Sequence, residues 1–387
     1  MTKRLHNHLY GTAGDGGDLG EAAHRIYDDA LIAEKDALAA HARAGDVIVL
    51  HDPQVAGLAE AAKQLGCKVV WRCLVGIDEQ NDRSRIGWEF LRPYLEPFVD
   101  HYVFSDRRFA PDWVADGDLS VIWPSIDPFA PKNQELDDAT AEAILTHVGL
   151  IAGTPGETVF ERTDGSPGRV ELMCDVVRTG PPPGPDVPLV AQISRWDSMK
   201  DMGGVMQAFA DYVDSGRDAQ LVLAGPVVSA VADDPEGGQV LQDCWNQWRQ
   251  LPHAVRSRVQ LVCLPMHDLE ENAVIVNALQ RHAHVVAQKS LAEGFGLTAA
   301  EAMLKGTPVV ASAVGGLVDQ VIDGESGLLV QDPTDLEEFG VAVCRILDDD
   351  GFRRQLGEGA RQRAIDTHLG DTHLRKWLGV VRALYGD

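Results

Sequence analysis

Short apolar runs alternate with longer stretches in which apolar residues recur at helical spacing, and this rhythm occurs twice along the chain. Residues 1–45 read as mostly helical and polar, with Gly11–Gly20 as a loop. No strand precedes that glycine-rich loop, so it is not a dinucleotide fingerprint. The first strand is Asp46–Leu50, ending at His51-Asp52-Pro53-Gln54, with a helix over Val55–Leu65. Cys67–Arg72 is the next strand, followed by a helix around Ile86–Phe98 and a strand at His101–Phe104. Val121–Trp123 then leads into the turn Pro124–Pro128. Residues 151–186 break the rhythm with many Gly, Pro and Thr, and read as an extended connector.

A second rhythm begins at Leu189–Ile193, a strand ending in Ser194-Arg195-Trp196-Asp197-Ser198-Met199-Lys200, with a helix to about Val213. Ala219–Ala224 is a strand closing at Gly225, Val259–Leu264 is another, and Ala273–Arg281 is a helix. An apolar run at Ala283–Ala287 leads into the glycine-rich turn of Ser290–Met303, which opens a helix at Thr298. Gly306 stops that helix, and Thr307–Ser312 is a strand. Gly315-Gly316 turns into a helix, Asp323-Gly324 makes a tight turn, and Gly327–Val330 is a short strand. Residues 334–387 read as helices. Alternation of this kind predicts doubly wound parallel sheets. The division expected is one Rossmann-like domain over 1–186, a second over 187–365, and a helix over 366–387 packing back towards the first domain.

Length and charge sharpen this picture. A chain of 387 residues suits two or three domains. The net charge of −25 argues against nucleic acid and anionic membrane surfaces. It leaves room for a small anionic ligand, because charges beyond about 10 Å are screened. No apolar run is long enough to span a bilayer, and the N-terminus has no apolar segment after its charges, so a cytoplasmic protein is expected. The six cysteines are scattered without metal or disulfide spacing and read as buried free thiols.

The chemistry concentrates at predicted strand ends, where open α/β sheets bind ligands. His51, Arg195, Gly225, Glu293 and Gly315 all lie there. Glu293 and Glu301 flank Gly294, Phe295, Gly296, Leu297 and Thr298. The glycines allow close backbone approach, and the helix start offers free N–H groups to an anion. A phosphate flanked by hydroxyl-rich ends fits this stretch, as in a sugar nucleotide. Thr298-x-x-Glu301 is equally a capping box, which needs no ligand. Arg195 and Lys200 suit the two phosphates of a diphosphate. Losing one such contact to a departing diphosphate costs about 3 kcal/mol, about a hundredfold in rate. A surface pair with Asp197 and Asp201 is the competing reading. His51 is either a cleft-facing hydrogen-bonding group or an ordinary structural histidine. His6-x-His8 and His282-x-His284 lack further ligands for zinc, and Asp348-Asp349-Asp350 reads as a solvated turn.

Glu293 through Glu301 resembles the E-x7-E motif of retaining GT-B glycosyltransferases of family GT4. Ser194–Lys200, Ala313–Gly316 and Asp323–Val330 resemble other parts of that family, across nearly all of residues 187–365. A closer resemblance is to the glycosyltransferring trehalose synthases, and it covers both halves of the chain. It is carried by His51–Gln54, Trp71–Cys73, Trp88–Arg92, Pro124–Pro128, Lys132-Asn133 and Val276–Arg281. The resemblance implies a GT-B fold with a cleft between two Rossmann-like domains. It implies that Arg195 and Lys200 hold the diphosphate, Glu301 the ribose hydroxyls, and Glu293 with Gly294–Gly296 the transferred sugar. His51 would lie near the anomeric centre or acceptor, with Asp52, Gln54 and Arg72 on the acceptor side. The implied reaction is metal-independent and retaining, from NDP-glucose to glucose, giving trehalose. NDP-sugar is then a substrate and no cofactor is expected. Glycerate or a polyol as acceptor, and sugar-nucleotide binding without catalysis, are the alternatives. The expected partners are a nucleotide sugar and a small sugar acceptor, with a homodimer as the candidate assembly. Family members usually begin with further βα units and a Gly-Gly-Val loop, so the N-terminal domain is expected to be incomplete. His282-Ala283-His284 stands where the family usually has Ala-Asp.

Overall fold

The computed structural model describes residues 1–12, 16–213, 216–228 and 235–386. Part of the expected loop Gly11–Gly20, residues 13–15, lies outside the described residues. The chain divides into two compact units: 1–125 with 292–295 and 370–387, and 126–291 with 296–369.

The first unit begins with three helices, α1 (Thr2–Leu9), α2 (Glu21–Ala30) and α3 (Ile32–His41). Then come β1 (Val47–His51), α4 (Ala59–Gln64), β2 (Lys68–Cys73), α5 (Asp82–Leu95), β3 (His101–Phe104) and β4 (Leu119–Val121). The four strands form a parallel sheet in chain order, β1-β2-β3-β4. Successive side chains of a strand face opposite sides, and β2 separates them accordingly. Val69, Trp71 and Cys73 enter a large core built with α1, α4 and α5. Val70 enters a smaller cluster with Val103, Ile122 and Val380 of α15 (Gly370–Tyr385). That apolar contact is why the last helix counts with the first unit.

The second unit comprises α6 (Asp138–His147), β5 (Val159–Glu161), β6 (Pro167–Arg169), β7 (Asp175–Val177), β8 (Leu189–Ile193) and α7 (Met202–Ala208). It continues through β9 (Gln220–Pro226), α8 (Pro235–Gln250), α9 (His253–Arg256), β10 (Val259–Leu264), α10 (Leu269–His282), β11 (Val285–Gln288) and α11 (Leu297–Leu304). β12 (Val309–Ser312), α12 (Leu317–Gln320), β13 (Leu328–Val330), α13 (Leu336–Leu347) and α14 (Asp350–His368) complete it. Its seven-stranded sheet has the order β13-β12-β11-β8-β9-β10-β7. All pairings are parallel except that of β7 with β10. The chain winds outward from β8 in one direction through β9 and β10. It then returns to β11 on the other side of β8 and winds the opposite way. The gap between β8 and β11 is therefore a topological switch point.

The unit boundary falls after Ser125, not at 186. The proline- and glycine-rich stretch is not a plain connector. It holds the β5–β6 hairpin and contributes β7 to the edge of the large sheet, with Val177 opposite Leu261. Helix α6 was not among the elements read from the pattern. No helix among the described residues is long and apolar enough to cross a membrane. The six thiols are free; four are buried, while Cys263 and Cys344 are half-buried.

Candidate active site

The loops after β8 and β11, which leave the switch point, are tied together by buried polar groups. Gln192 on β8 is fully buried. Its Nε2 donates to the Lys200 carbonyl at 2.5 Å, and its Oε1 accepts from the Lys289 N–H at 3.2 Å. The Leu291 N–H donates to the Met199 carbonyl at 2.8 Å. The Lys289 side chain has no solvent exposure; its Nζ is paired with the Asp201 carboxylate and donates to the Pro333 carbonyl at 2.8 Å. Asp201 has φ 46°, unusual for a residue with a side chain, and its Oδ1 caps α7 through the Gly204 N–H at 3.1 Å. The Ser198–Lys200 turn is thus fixed at both ends.

Arg195 and Lys200 both lie on this loop. Arg195 is exposed and pairs with Asp197 at 3.0 Å. That half of the competing surface-pair reading is realised. Asp201 turns inward to Lys289. Lys200 is half-buried. Gly225, the penultimate residue of β9, lies under the indole of Trp196: a Cβ there would fall 2.6 Å from Nε1. Packing alone requires a glycine at 225.

Helix α11 starts at Leu297 with Gly296 as its N-cap, at φ 90°. The capping box is not formed, since no side chain caps this end and Thr298 is already inside the helix. Glu301 is free of that task. It is 6% exposed, and the cation against it is Lys132, whose Nζ lies 2.9 Å from Oε2. The contact lacks hydrogen-bond alignment, so Oε2 is a buried acceptor with no hydrogen bond among the described residues. An ionised carboxylate can accept about four hydrogen bonds, and leaving a buried one short of donors is costly. Beneath Glu301, Lys305 is 9% exposed. Burial pulls its amine down to about 7, against the opposing charge of Glu301.

In the first unit, His51 and Arg72 are directly opposite across β1 and β2. Asp52 follows at φ 62° and ψ 175°, a region essentially reserved for glycine. It is held there by its N–H to the Arg72 carbonyl at 2.7 Å and by the Leu74 N–H to its Oδ1 at 2.8 Å. His51 is exposed, yet partial desolvation and then the Arg72 charge hold its pKa below the ordinary histidine value, against the pull of Asp52. The Gln54 Oε1 lies 3.2 Å from His6 Nε2. Arg72 is 9% exposed, with a buried Nε that has no hydrogen-bond partner among the described residues. Its guanidinium stacks 5.6 Å above Trp377 of α15. Glu293 is half-buried. Gly294 lets the backbone pass the Leu74 carbonyl, since a Cβ would sit 2.8 Å from that oxygen. Phe295 tilts against Trp123 at 6.2 Å.

Sequence reading missed Trp123, Trp377, His373 and Lys132 as members of these clusters. His373 and Trp377 sit one turn apart on α15, with the Trp377 indole N–H donating to His373 Nε2 at 2.8 Å. That four-residue spacing was the available signal. Among the described residues, no group of three His, Cys, Asp or Glu side chains is arranged to hold a metal ion.

This α/β architecture is the GT-B fold. Residues 181–363 match the family Glycosyl transferases group 1, and residues 1–111 match the trehalose synthase N-terminal domain. The trehalose synthase of Rubrobacter xylanophilus is 30% identical over 100% of this chain and 80% of its own. Sucrose-phosphate synthase of Thermosynechococcus elongatus superposes with a TM-score of 0.63 at 22% identity, covering 88% of this chain and 74% of its own. HepE of Anabaena, solved with UDP and glucose, gives 0.65 at 14% identity, covering 94% and 84%. The chain belongs to the trehalose synthase family of group 1 glycosyltransferases.

Proposed function

We propose that this glycosyltransferase moves glucose from an NDP-glucose donor to free glucose, with retention of configuration, to give trehalose. The observation that carries the donor half is the switch point of the seven-stranded sheet. There, Arg195, Lys200 and the open N-terminus of α11 are borne by two loops stitched through Gln192, Lys289 and Asp201. The similarity to trehalose synthases along the whole chain supports the acceptor half.

Arg195 gives up a surface ion pair, which contributes only about 0–1 kcal/mol, and with Lys200 grips the diphosphate. The N–H groups of Leu297 and Thr298, beyond the Gly296 cap, add donors to the same anion. Glu301 accepts the ribose hydroxyls. Glu293, Gly294 and Phe295 hold the transferred sugar, and Gly225 serves the donor loop by seating Trp196. His51, Asp52, Gln54 and Arg72 receive the acceptor. The lowered pKa keeps the His51 imidazole neutral near pH 7, able to accept or donate a hydrogen bond. In the reaction, the bond from the anomeric carbon to the phosphate oxygen breaks and a bond to the acceptor oxygen forms on the same face. The acceptor proton passes to the departing diphosphate, whose negative charge Arg195 and Lys200 stabilise.

The test is incubation with NDP-glucose and either glucose, glycerate or a polyol, followed by NMR of the products. Trehalose from glucose supports the reading. Transfer only to the other acceptors, or nucleotide binding without transfer, overturns it.

A further inference from the structure

The carboxylate of Glu301 and the ammonium of Lys132 come together because residues 131–134 are clamped onto α10 and α11. Asn277, fully buried on α10, donates through Nδ2 to the Pro131 carbonyl at 3.1 Å and the Gln134 carbonyl at 2.9 Å. Arg281, one turn later, donates to the Gln134 carbonyl at 3.1 Å. From α11, Lys305 Nζ donates to Asn133 Oδ1 at 3.0 Å and to the Glu301 carbonyl at 3.2 Å. Asn133 in turn donates to the Asp127 carbonyl at 3.0 Å. Each clamp is buried or nearly so, while the side chain they deliver, Lys132, is 38% exposed.

A lysine held this way loses rotamer freedom, and fold stability alone gives little return for it. The return is at Glu301. The ammonium supplies the counter-charge a buried carboxylate requires, yet it does not saturate the acceptor. Glu301 Oε2 is left beside the ammonium with no hydrogen-bond donor among the described residues.

Resting on the reading of Glu301 as the ribose acceptor, we propose that Lys132 is a positioning and specificity-determining residue for the nucleotide. It orients the Glu301 carboxylate so that both ribose hydroxyls donate to it, and it thereby sets the preference for ribonucleotides over deoxyribonucleotides. Without the ammonium, the carboxylate rotates freely and the two hydroxyls no longer find a prepared pair of acceptors.

The experiment is calorimetric titration of the full chain with UDP and with ADP, each against its 2′-deoxy counterpart. A hydroxyl bound to a charged acceptor gives the wild type about a thirtyfold preference for the ribo form. Lys132→Met and Lys132→Gln bring that ratio to within about threefold of unity, and Lys132→Arg recovers part of it. General loosening of the site weakens ribo and deoxy forms alike and leaves the ratio unchanged. A wild-type ratio in both Lys132 variants, with the ratio lost in Glu301→Gln, overturns the proposal and spares the reading of Glu301. A wild-type ratio in Glu301→Gln overturns that reading itself.

Discussion

The two sheets are built from the same βα grammar but differ where it matters for ligands. The seven-stranded sheet reverses its winding between β8 and β11, so the loops leaving two adjacent strand ends belong to opposite winding directions yet are tied to each other at their base. The four-stranded sheet runs in chain order without a reversal. Its candidate residues are assembled by another route: a strained Asp52 at the end of β1, and a buried Arg72 stacked on the last helix of the chain. One region obtains its site from topology, the other from local strain and a returning helix. The first depends on the charges of Arg195 and Lys200 and on the buried contacts that fix their loop. The second is sensitive to any change in backbone fit.

This difference can be broken at its strongest point first. Arg195→Ala and Lys200→Ala should each lower kcat/KM for the sugar nucleotide about a hundredfold, because each removes a cation proposed to hold the diphosphate, with a far smaller effect on folding, since Arg195 is exposed and Lys200 half-buried. Steady-state kinetics with a thermal melt checks both halves. Gly294→Ala is the complementary test in the other unit. Its new Cβ meets the Leu74 carbonyl at 2.8 Å, and overpacking of that kind costs about 1–3 kcal/mol, readable by urea unfolding.

An effect of similar size separates strain from hydrogen bonding at Asp52. Both Asp52→Ala and Asp52→Gly remove the acceptor for the Leu74 N–H. Only glycine relaxes the backbone, so the glycine variant should be more stable than the alanine one by about 1–3 kcal/mol. Equal stabilities would remove strain from the description of this site.

The smallest effect concerns His284. Burial first, then Arg353 and His282, bring its pKa to about 4 from an ordinary 6.5. Between those values the unfolded chain binds the proton and the folded chain does not. Stability contributed by the neutral ring is therefore present above pH 6.5 and is lost as pH falls towards 4. Melting temperatures of His284→Asn should fall less steeply over that window than those of the wild type.

Much of this was legible in the chain itself. His101–Phe104, Leu189–Ile193 and Val259–Leu264 read correctly because each is a short, mainly apolar run, with one polar member apiece (His101, Gln192 and Gln260), as buried parallel strands are. The segment 151–186 was misread because β7 is only Asp-Val-Val, and its strand identity comes from pairing with β10 some 85 residues later. Such pairing leaves no local pattern. Thr298 and Glu301 had the spacing of a capping box, but Gly296 took the cap position with a positive φ that only the fold reveals. The resulting freedom of Glu301 and its pairing with Lys132 join residues 169 positions apart, beyond any spacing rule. Arg195 and Lys200 were visible as candidates; the buried Gln192, Lys289 and Asp201 that fix their loop were not, since an apolar strand pattern does not single out its polar members.

The central claim is that the switch point of the larger sheet takes the nucleotide diphosphate. Amide hydrogen exchange with and without UDP or ADP tests it directly, because protection reports each loop separately. Protection should appear at residues 194–201 and 289–301, with residues 47–54 unchanged by nucleotide alone. Protection confined to 47–54, or absent from both loops of the larger sheet at saturating nucleotide, would contradict it.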